Sequence, residues 1–499
     1  MRPRNHKGRM NIVYVVLEDF RGLSMGALCD PERTGRPCAR TPHLDALAAD
    51  GVLFENAFAQ SPICNPSRTS TMTGRYPGTT GVFANDDRPR DPDMLPNLPQ
   101  LLQIHARGRI VTTSPYSKVF HLPAAVAPQP MQPWERQWWN RTSWQGVPAS
   151  LRAKLNATPP RKMRGPGYGH VMPTQFHHMA FRRSVAMLGA LLNQASSPFF
   201  YAMGISGTHT PLVPPMSYVR RYDATSVKLP ASHAPNAPLL ARKDGFQSFE
   251  LSAGQQRAYI ATYLAAASYV DDQVGAIVDL VNRRSRRPTA LIVHADHGFH
   301  LGEHGRWSKY TMYEEAVHVP LLMRVPGGPR GVRRVDLVEL VDVLPTILSL
   351  WGVPPGQRPP LDGRDLLAHA RGGTGATAAA VAAMRQHVIS AMRHPIKLDG
   401  AWVCAEVHYV RTARLAFTSY LHNGRVVNST MFDLTVDPLE QSNLIVPDKP
   451  ALPYMREWDE LVDVERETWP RHEVNERDEA SKRAGERCGE YRRRRRRRH

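Results

Sequence analysis

Cysteine is scarce in this chain. Five residues in 499, Cys29, Cys38, Cys64, Cys404 and Cys488, are too few for a disulfide scaffold. Cys29 and Cys38 are near enough in sequence to bridge a short loop, but sequence alone does not pair them. Long apolar runs are missing as well: no stretch of about 18 apolar residues occurs, so nothing reads as membrane-spanning. Residues 1–9 are basic and pass straight into a strand-like run ending in acids, so no signal peptide is read there. Acids are outnumbered by bases, 45 against 64, giving a net charge of +19, of which the arginine run 492–498 supplies seven. A basic surface suits polyanions, but an Arg-, Ala- and Pro-rich composition produces one without any partner. No specific nucleic acid is expected.

What is present is enough for a large core: an apolar share of 42% over 499 residues predicts one large α/β unit with an appendage, or several domains. The β-branched run 11–17 reads as a buried parallel strand, and it ends on Glu18-Asp19. Two carboxylates at such a place are costly unless a cation pairs them. Residues 41–48 carry a capping start and helical spacing, and residues 52–58 form a second strand that delivers the chain to Cys64. Strands are predicted at 109–112, 198–203, 289–295 and 317–325, and helices at 98–105, 176–195, 255–282 and 336–351. The strand at 289–295 ends on Asp296-His297-Gly298. Residues 123–172 read as a long surface excursion.

The resulting domain reading is a basic tail at 1–10 and a catalytic domain at 11–365. A low-complexity linker at 366–384 leads to a smaller α+β domain with an antiparallel sheet at 385–449. A charged tail at 450–499 ends in a disordered Arg run. In the small domain, separate strands are expected at 388–392, 401–406, 409–412 and 416–421. Asn140, Asn156 and Asn428 fit the glycosylation pattern, which matters only in a secreted chain.

The most informative stretch is Ser61-Pro62-Ile63-Cys64-Asn65-Pro66-Ser67-Arg68, followed by Thr73-Gly74-Arg75-Tyr76-Pro77. Pro66 biases its predecessor away from helix, which places Cys64 at a bend before a helix opened by Ser67. The amides of such a helix start favour an anion, and Arg68 adds a fixed cationic fork. A merely packed or reactive thiol is the plain alternative for this motif by itself. Lys118, His121, His209 and Lys309 are further basic residues in loops after strands. Together they suit binding a sulfate ester and protonating its leaving alcohol. Glu18, Asp19, Asp296 and His297 form an oxygen-rich set suited to Ca²⁺, or to Mg²⁺ if compact.

Glu18-Asp19, Cys64-x-Pro66-Ser67-Arg68, Lys118-Val119-Phe120-His121, His209-x-Pro211, Asp296-His297-Gly298 and Gly302-Glu303-His304-Gly305-x-Trp307-x-Lys309-Tyr310 occur in this order. The series resembles the iduronate 2-sulfatase branch of the type I sulfatases. It covers roughly residues 11–355, with a closing element at 432–443. The resemblance implies an alkaline-phosphatase-like fold, with a large sheet flanked by helices, and enzymatic oxidation of Cys64 to formylglycine by a formylglycine-generating enzyme. It implies Ca²⁺ held by Glu18, Asp19, Asp296 and His297, with the modified Cys64 completing the site.

In that scheme Arg68 holds the formylglycine hydrate, and Lys118 and Lys309 grip the sulfate oxygens. His209, with Lys309, protonates the leaving alcohol, and His121 takes the proton that lets sulfate depart. The implied substrate is a sulfated sugar or glycosaminoglycan, and the implied compartment is secretory or lysosomal. One departure is Glu18, where the family pattern has Asp; another is the short, low-complexity stretch near 355–385. Rival readings are a formylglycine-dependent phosphonate or phosphodiester hydrolase and a catalytically silent polyanion-binding relative.

Overall fold

The computed structural model describes residues 10–121, 179–367 and 385–468, apart from 36, 86, 90–94, 115–116, 195, 211, 231–250, 399–400 and 446–453. The excursion at 123–172, nearly all of the linker, the Arg run and the sites at Asn140 and Asn156 lie outside the described residues.

A seven-stranded mixed sheet forms the centre. Its strands are β1 (Asn11–Leu17), β2 (Val52–Phe58), β3 (Ile110–Thr113), β4 (Phe199–Ile205), β5 (Thr289–Ala295), β8 (His318–Arg324) and β9 (Val332–Glu339), in the order β3-β4-β1-β5-β8-β2-β9. Between β5 and β8, β6 (His300–Leu301) and β7 (Trp307–Ser308) make a small hairpin. β1 is parallel to both its neighbours, with Val15 opposite Met203 on one side and Val293 on the other. Every residue of β1 is buried, as expected for a strand covered by helices on both faces. β8 alone runs antiparallel to its neighbours β5 and β2. The strands β1 to β5 therefore all point the same way, and their C-terminal ends lie along one edge. That edge is where an open α/β sheet places its ligands.

The helix Ala253–Arg284 begins with a reciprocal cap between Ser252 and Gln255. It packs behind that edge, and its Asp271 accepts the backbone N–H groups of His43 and Leu44. Those are two of the orphan donors in the first turn of the helix Pro42–Ala49. Among the described residues, no helix is long and apolar enough to cross a membrane.

Three expectations are corrected. Residues 336–339 are not helical: they finish the edge strand β9, and the helix Val343–Trp351 follows one 3₁₀ turn. The outer half of β9 alternates half-buried and exposed residues before becoming buried, the two-residue period of an edge strand. In the small domain, 401–406 and 409–412 are one strand, β11 (Ala401–Thr412), flanked by β10 (His387–Leu398) and β12 (Leu415–His422), with β13 (Arg425–Asp433) outside. The segment beyond 450 is not all tail. The helix Met455–Thr468 packs Leu461 into a cluster with Val410, Phe417 and Met431, and its charged outer face had hidden that apolar stripe. Asn428 lies half-buried within β13.

The two sheets share a core in which Phe58, Ile63 and Tyr313 meet Val388, Tyr409 and Phe432. Cys29 and Cys38 are disulfide-bonded, with Cα atoms 5.7 Å apart.

Candidate active site

Three strand ends along the common edge contribute to one buried cluster of polar side chains. β1 runs into Glu18 and Asp19, β5 into Asp296 and His297, and β2 leads through a short turn to Cys64. Asp19 has φ of 56°, a left-handed conformation disfavoured for a non-glycine residue. Three contacts hold it there. Its N–H donates to Asp296 Oδ1 at 2.9 Å. Its carbonyl accepts the Tyr263 hydroxyl at 2.7 Å, and that hydroxyl in turn accepts the Arg21 N–H at 2.8 Å.

Cys64 is the first residue of the helix Cys64–Thr73, capped by extended Ile63; it does not sit before it. Pro66 is tolerated within the first turn because the N–H it lacks would have no intrahelical partner. Cys64 is buried, and among the described residues it is the free cysteine. Its Sγ lies 3.0 Å from Lys309 Nζ, 3.3 Å from His297 Nε2 and 3.8 Å from Asp19 Oδ1. Burial pushes the thiol pKa up. Lys118, Lys309, His297 and a hydrogen bond to His121 outweigh burial and bring it well below the ordinary value.

The basic residues converge on the same point. Lys309 Nζ donates to Asp19 Oδ1 and Oδ2 at 2.8 and 2.9 Å. Lys118 pairs with Glu18. His209 Nε2 lies 3.9 Å from Glu18 Oε1, while its Nδ1 lies 2.6 Å from the Thr210 carbonyl. A proton on Nδ1 satisfies that carbonyl and leaves Nε2 facing the pocket. Burial raises the Glu18 pKa, and Lys118, His209 and Arg68 reverse this to hold it far below the carboxylate range.

Arg68 makes contacts that its motif did not reveal. Its Nε donates to Asp296 Oδ2 at 2.9 Å, and its Nη1 donates to the carbonyls of Lys118 and Val119, both at 2.8 Å. It ties its own helix to the loops bearing Asp296 and Lys118-Val119, and only its buried Nη2 has no hydrogen-bond partner.

The donor set fits a hard divalent cation. Glu18, Asp19, Cys64 and His209 place ligand atoms within 4.8 Å of one another, and so do Asp19, Cys64, Asp296 and His297. Glu18 Oε2 is buried without a hydrogen-bond partner, an expensive arrangement that a cation would relieve. Several carboxylate oxygens around one point suit the flexible shell of Ca²⁺.

The comparisons with known proteins decide the family. The sulfatase family matches residues 10–353, and the C-terminal region of N-sulphoglucosamine sulphohydrolase matches residues 302–463. The chain belongs to the sulfatase family. Sulfatases are hydrolases of sulfate esters. This sulfatase is 29% identical to iduronate 2-sulfatase of Mus musculus over 405 residues, covering 70% of each chain. It is 28% identical to the Homo sapiens enzyme over 425 residues, covering 72% of this chain and 74% of that one. Among solved structures, a phosphonate monoester hydrolase of Agrobacterium radiobacter superposes with TM-score 0.69 at 20% identity, covering 92% of this chain and 96% of that one. A protein solved with its substrate D-glucosamine-2-N,6-O-disulfate gives TM-score 0.67 at 18% identity, covering 94% and 99%. At such identities both show the alkaline-phosphatase-like fold alone.

The structure gathers Glu18, Asp19, Cys64, Arg68, Lys118, His121, His209, Asp296, His297 and Lys309 of this sulfatase around one pocket. Sequence reading missed the supports. Tyr263 sits inside a long helix, and Thr208 donates through Oγ1 to the Glu18 carbonyl at 2.6 Å. Ser67, whose hydroxyl donates to the Asp296 carbonyl, stood within the quoted motif as a helix opener. Arg21 forms a buried pair with Glu303 at 2.6 Å, and Glu303 lies in the Gly302–Tyr310 motif, so that motif is tied to the loop after β1.

Proposed function

We propose that this sulfatase removes sulfate from a sulfated sugar of the glycosaminoglycan type, using formylglycine derived from Cys64 and a Ca²⁺ ion held by Glu18, Asp19, Asp296 and His297. The observation that carries this reading is the environment of Cys64. A buried residue at a helix start, ringed by Lys118, Lys309 and His297 and backed by carboxylates, is an anion-receiving position with a cation site behind it. The relatives named for iduronate 2-sulfate chemistry support the substrate class.

The bound cation and the modified residue 64 would supply an activated oxygen nucleophile and neutralise charge on the sulfate. The chain's own residues do the rest. Lys118 and Lys309 orient the sulfate oxygens by charge-assisted hydrogen bonds. With its Nδ1–H held by the Thr210 carbonyl, His209 delivers a proton from Nε2 to the leaving alcohol oxygen as the imidazolium and is left as the neutral Nδ1–H tautomer. His121, whose pKa burial lowers below that of an ordinary imidazole, is neutral at pH 7 and so able to take a proton in the later step. Arg68 keeps Asp296 oriented, and the buried walls exclude bulk water, which strengthens each of these interactions.

Mass spectrometry of the peptide bearing Cys64 from the native host tests the modification, and turnover of an aryl sulfate tests the chemistry. Formylglycine with aryl sulfate hydrolysis supports the reading. Unmodified cysteine in folded protein rules out the formylglycine mechanism, and faster turnover of an aryl phosphonate would reassign the chain to phosphonate esters.

A further inference from the structure

At the end of the sheet opposite Cys64, a cavity of about 350 Å³ opens between the C-terminus of the helix Ala253–Arg284 and the loop after β8. Its volume falls in the range of small-ligand sites. The seven-residue strand β5 separates it from Asp296, a distance of roughly 20 Å at about 3.3 Å per residue. It is therefore no extension of the catalytic pocket.

Three arginines line it: Arg287, Arg324 and Arg330. Asp50 is the acidic residue among its walls, and one carboxylate serves two of them. Its Oδ1 accepts Arg330 Nη1 at 2.8 Å and its Oδ2 accepts Arg324 Nη1 at 3.0 Å. Asp50 thus fixes two guanidinium groups side by side while cancelling only one charge. Arg287, exposed, donates from Nη2 to the Ser196 carbonyl, and that neutral acceptor leaves its charge in place.

The chain next to the lining residues Val281, Asn282, Ser285 and Arg287 carries further charge of the same sign. Arg283, Arg284 and Arg286 are exposed, and of these only Arg283 has an acidic partner among the described residues, Asp279 at 3.6 Å. Arg283 and Arg284 offset the negative end of the helix dipole. Arg286 and Arg287 stand beyond the last residue of that helix, where the dipole does not account for them. Val281, Val325 and Pro326 add apolar surface beside the polar Asn282, Ser285 and Thr289.

We infer that this cavity is a second polyanion-binding site, an anchor for one sulfated sugar unit of a polysaccharide chain. The choice of a sulfated glycan as occupant rests on the function proposed above. Fixed guanidinium forks match the oxygens of a sulfate group bidentately, while Asn282, Ser285 and Thr289 offer hydrogen-bonding partners to sugar hydroxyls and Val281, Val325 and Pro326 a patch for ring C–H groups. A polymer held there raises the local concentration of its other sulfated units at the catalytic edge.

The test is binding of a fluorescent heparin octasaccharide to the full chain, compared with Arg287→Ala/Arg330→Ala and with Arg330→Glu. Both residues are exposed, so folding is not at stake, and hydrolysis of a small aryl sulfate should be unchanged in the variants. The expected result is at least about tenfold weaker binding for the double variant, a salt dependence shallower by roughly two ions, and a raised KM for polymeric substrate alone. Unchanged affinity in both variants overturns the proposal. So does equally arginine-dependent affinity for a 20-base-pair DNA duplex, which would make the site a general phosphate-backbone surface. Wild-type protein that hydrolyses no sulfate ester, yet binds the octasaccharide through these arginines, would remove the proposed function and leave the anchor standing.

Discussion

Lys309 bridges Asp19 and Cys64. Its Nζ reaches both carboxylate oxygens of Asp19 at 2.8 and 2.9 Å and lies 3.0 Å from Cys64 Sγ. Burial disfavours the ammonium charge, but Asp19 and Cys64 outweigh it and hold the Lys309 pKa well above the ordinary lysine value. The residue is thus a fixed cation at neutral pH, aimed at Cys64, where the proposed nucleophile would form. Ser308 and Tyr310, on either side, both have φ of 75°, so the backbone bears strain to present it.

Replacing Lys309 by Met keeps the aliphatic stem and removes the charge. The expected loss in kcat/KM for an aryl sulfate is about 10²–10³, the usual cost of one preorganised donor at a developing charge. Steady-state kinetics with circular dichroism as a folding control measures it, and a drop of less than about threefold would exclude the role.

Tyr263→Phe tests the strut beneath Asp19. The ring stacks on Phe299 at 5.0 Å, so packing survives the change. The Asp19 carbonyl and the Arg21 N–H both lose their partner, at about 1–3 kcal/mol for an unsatisfied buried group. The prediction is a lowered thermal midpoint together with a fall in kcat of roughly tenfold, by analogy with that energy. Loss of stability with unchanged kcat would mean that Tyr263 supports the fold but not the position of Asp19.

The parts of this site visible in sequence were those with a local signal. β1 and β5 are nearly continuous apolar runs, because strands covered on both faces have no polar side to show, and each ends at the chemistry; β2 is apolar except for Glu55-Asn56 and leads on to Cys64. β9 was misread because Arg333-Arg334 and Asp336 break up any apolar alternation in its outer half and the true helix follows at once. The helix Met455–Thr468 was misread because charged residues outnumber the few apolar ones that dock. Tyr263 could not have been found: its bond to Asp19 joins residues 244 apart, and nothing in a helix sequence marks which tyrosine touches a strand end. Arg68 was recognised by its motif, yet its actual partners, Asp296 and two carbonyls, come from two other loops.

Glu18→Gln probes the departure from the family pattern. Glu18 Oε2 is buried with no hydrogen-bond partner and sits in the cluster that fits a cation. Adding Ca²⁺ to chelator-treated wild-type protein should raise its thermal midpoint, since a ligand at 100 times its Kd adds about 2.7 kcal/mol. In Glu18→Gln the Ca²⁺ needed for half of that gain should rise at least about tenfold, consistent with losing one carboxylate ligand. Differential scanning calorimetry across a Ca²⁺ series separates this increment from any general loss of stability caused by leaving Lys118 unpaired. An identical Ca²⁺ response in the two proteins would remove Glu18 from the ligand set.

His408 makes the docking of the last described helix depend on pH. It is buried on β11, with Nδ1 at 2.6 Å from Glu465 Oε1 of the helix Met455–Thr468 and Nε2 at 3.7 Å from Glu406 Oε2. Burial lowers its pKa, but Glu406 and Glu465 outweigh burial and raise it above the ordinary imidazole value. A histidine raised in the folded state gives stability that is fully present below its unfolded pKa of about 6.5 and is lost as pH rises through the folded value. Burial also raises the Glu406 pKa, and His408 and Arg393 bring it down to about 2, so that carboxylate stays ionised throughout this window. Raising the pH from 6 to 9 should therefore loosen the helix, read as faster hydrogen exchange over 455–468. Glu465→Gln keeps an acceptor for the neutral ring and removes the charge, so its exchange should vary less with pH after correction for the intrinsic rate. Equal pH dependence in the two proteins would show that the helix is held by Leu461 and its apolar neighbours and not by the ion pair.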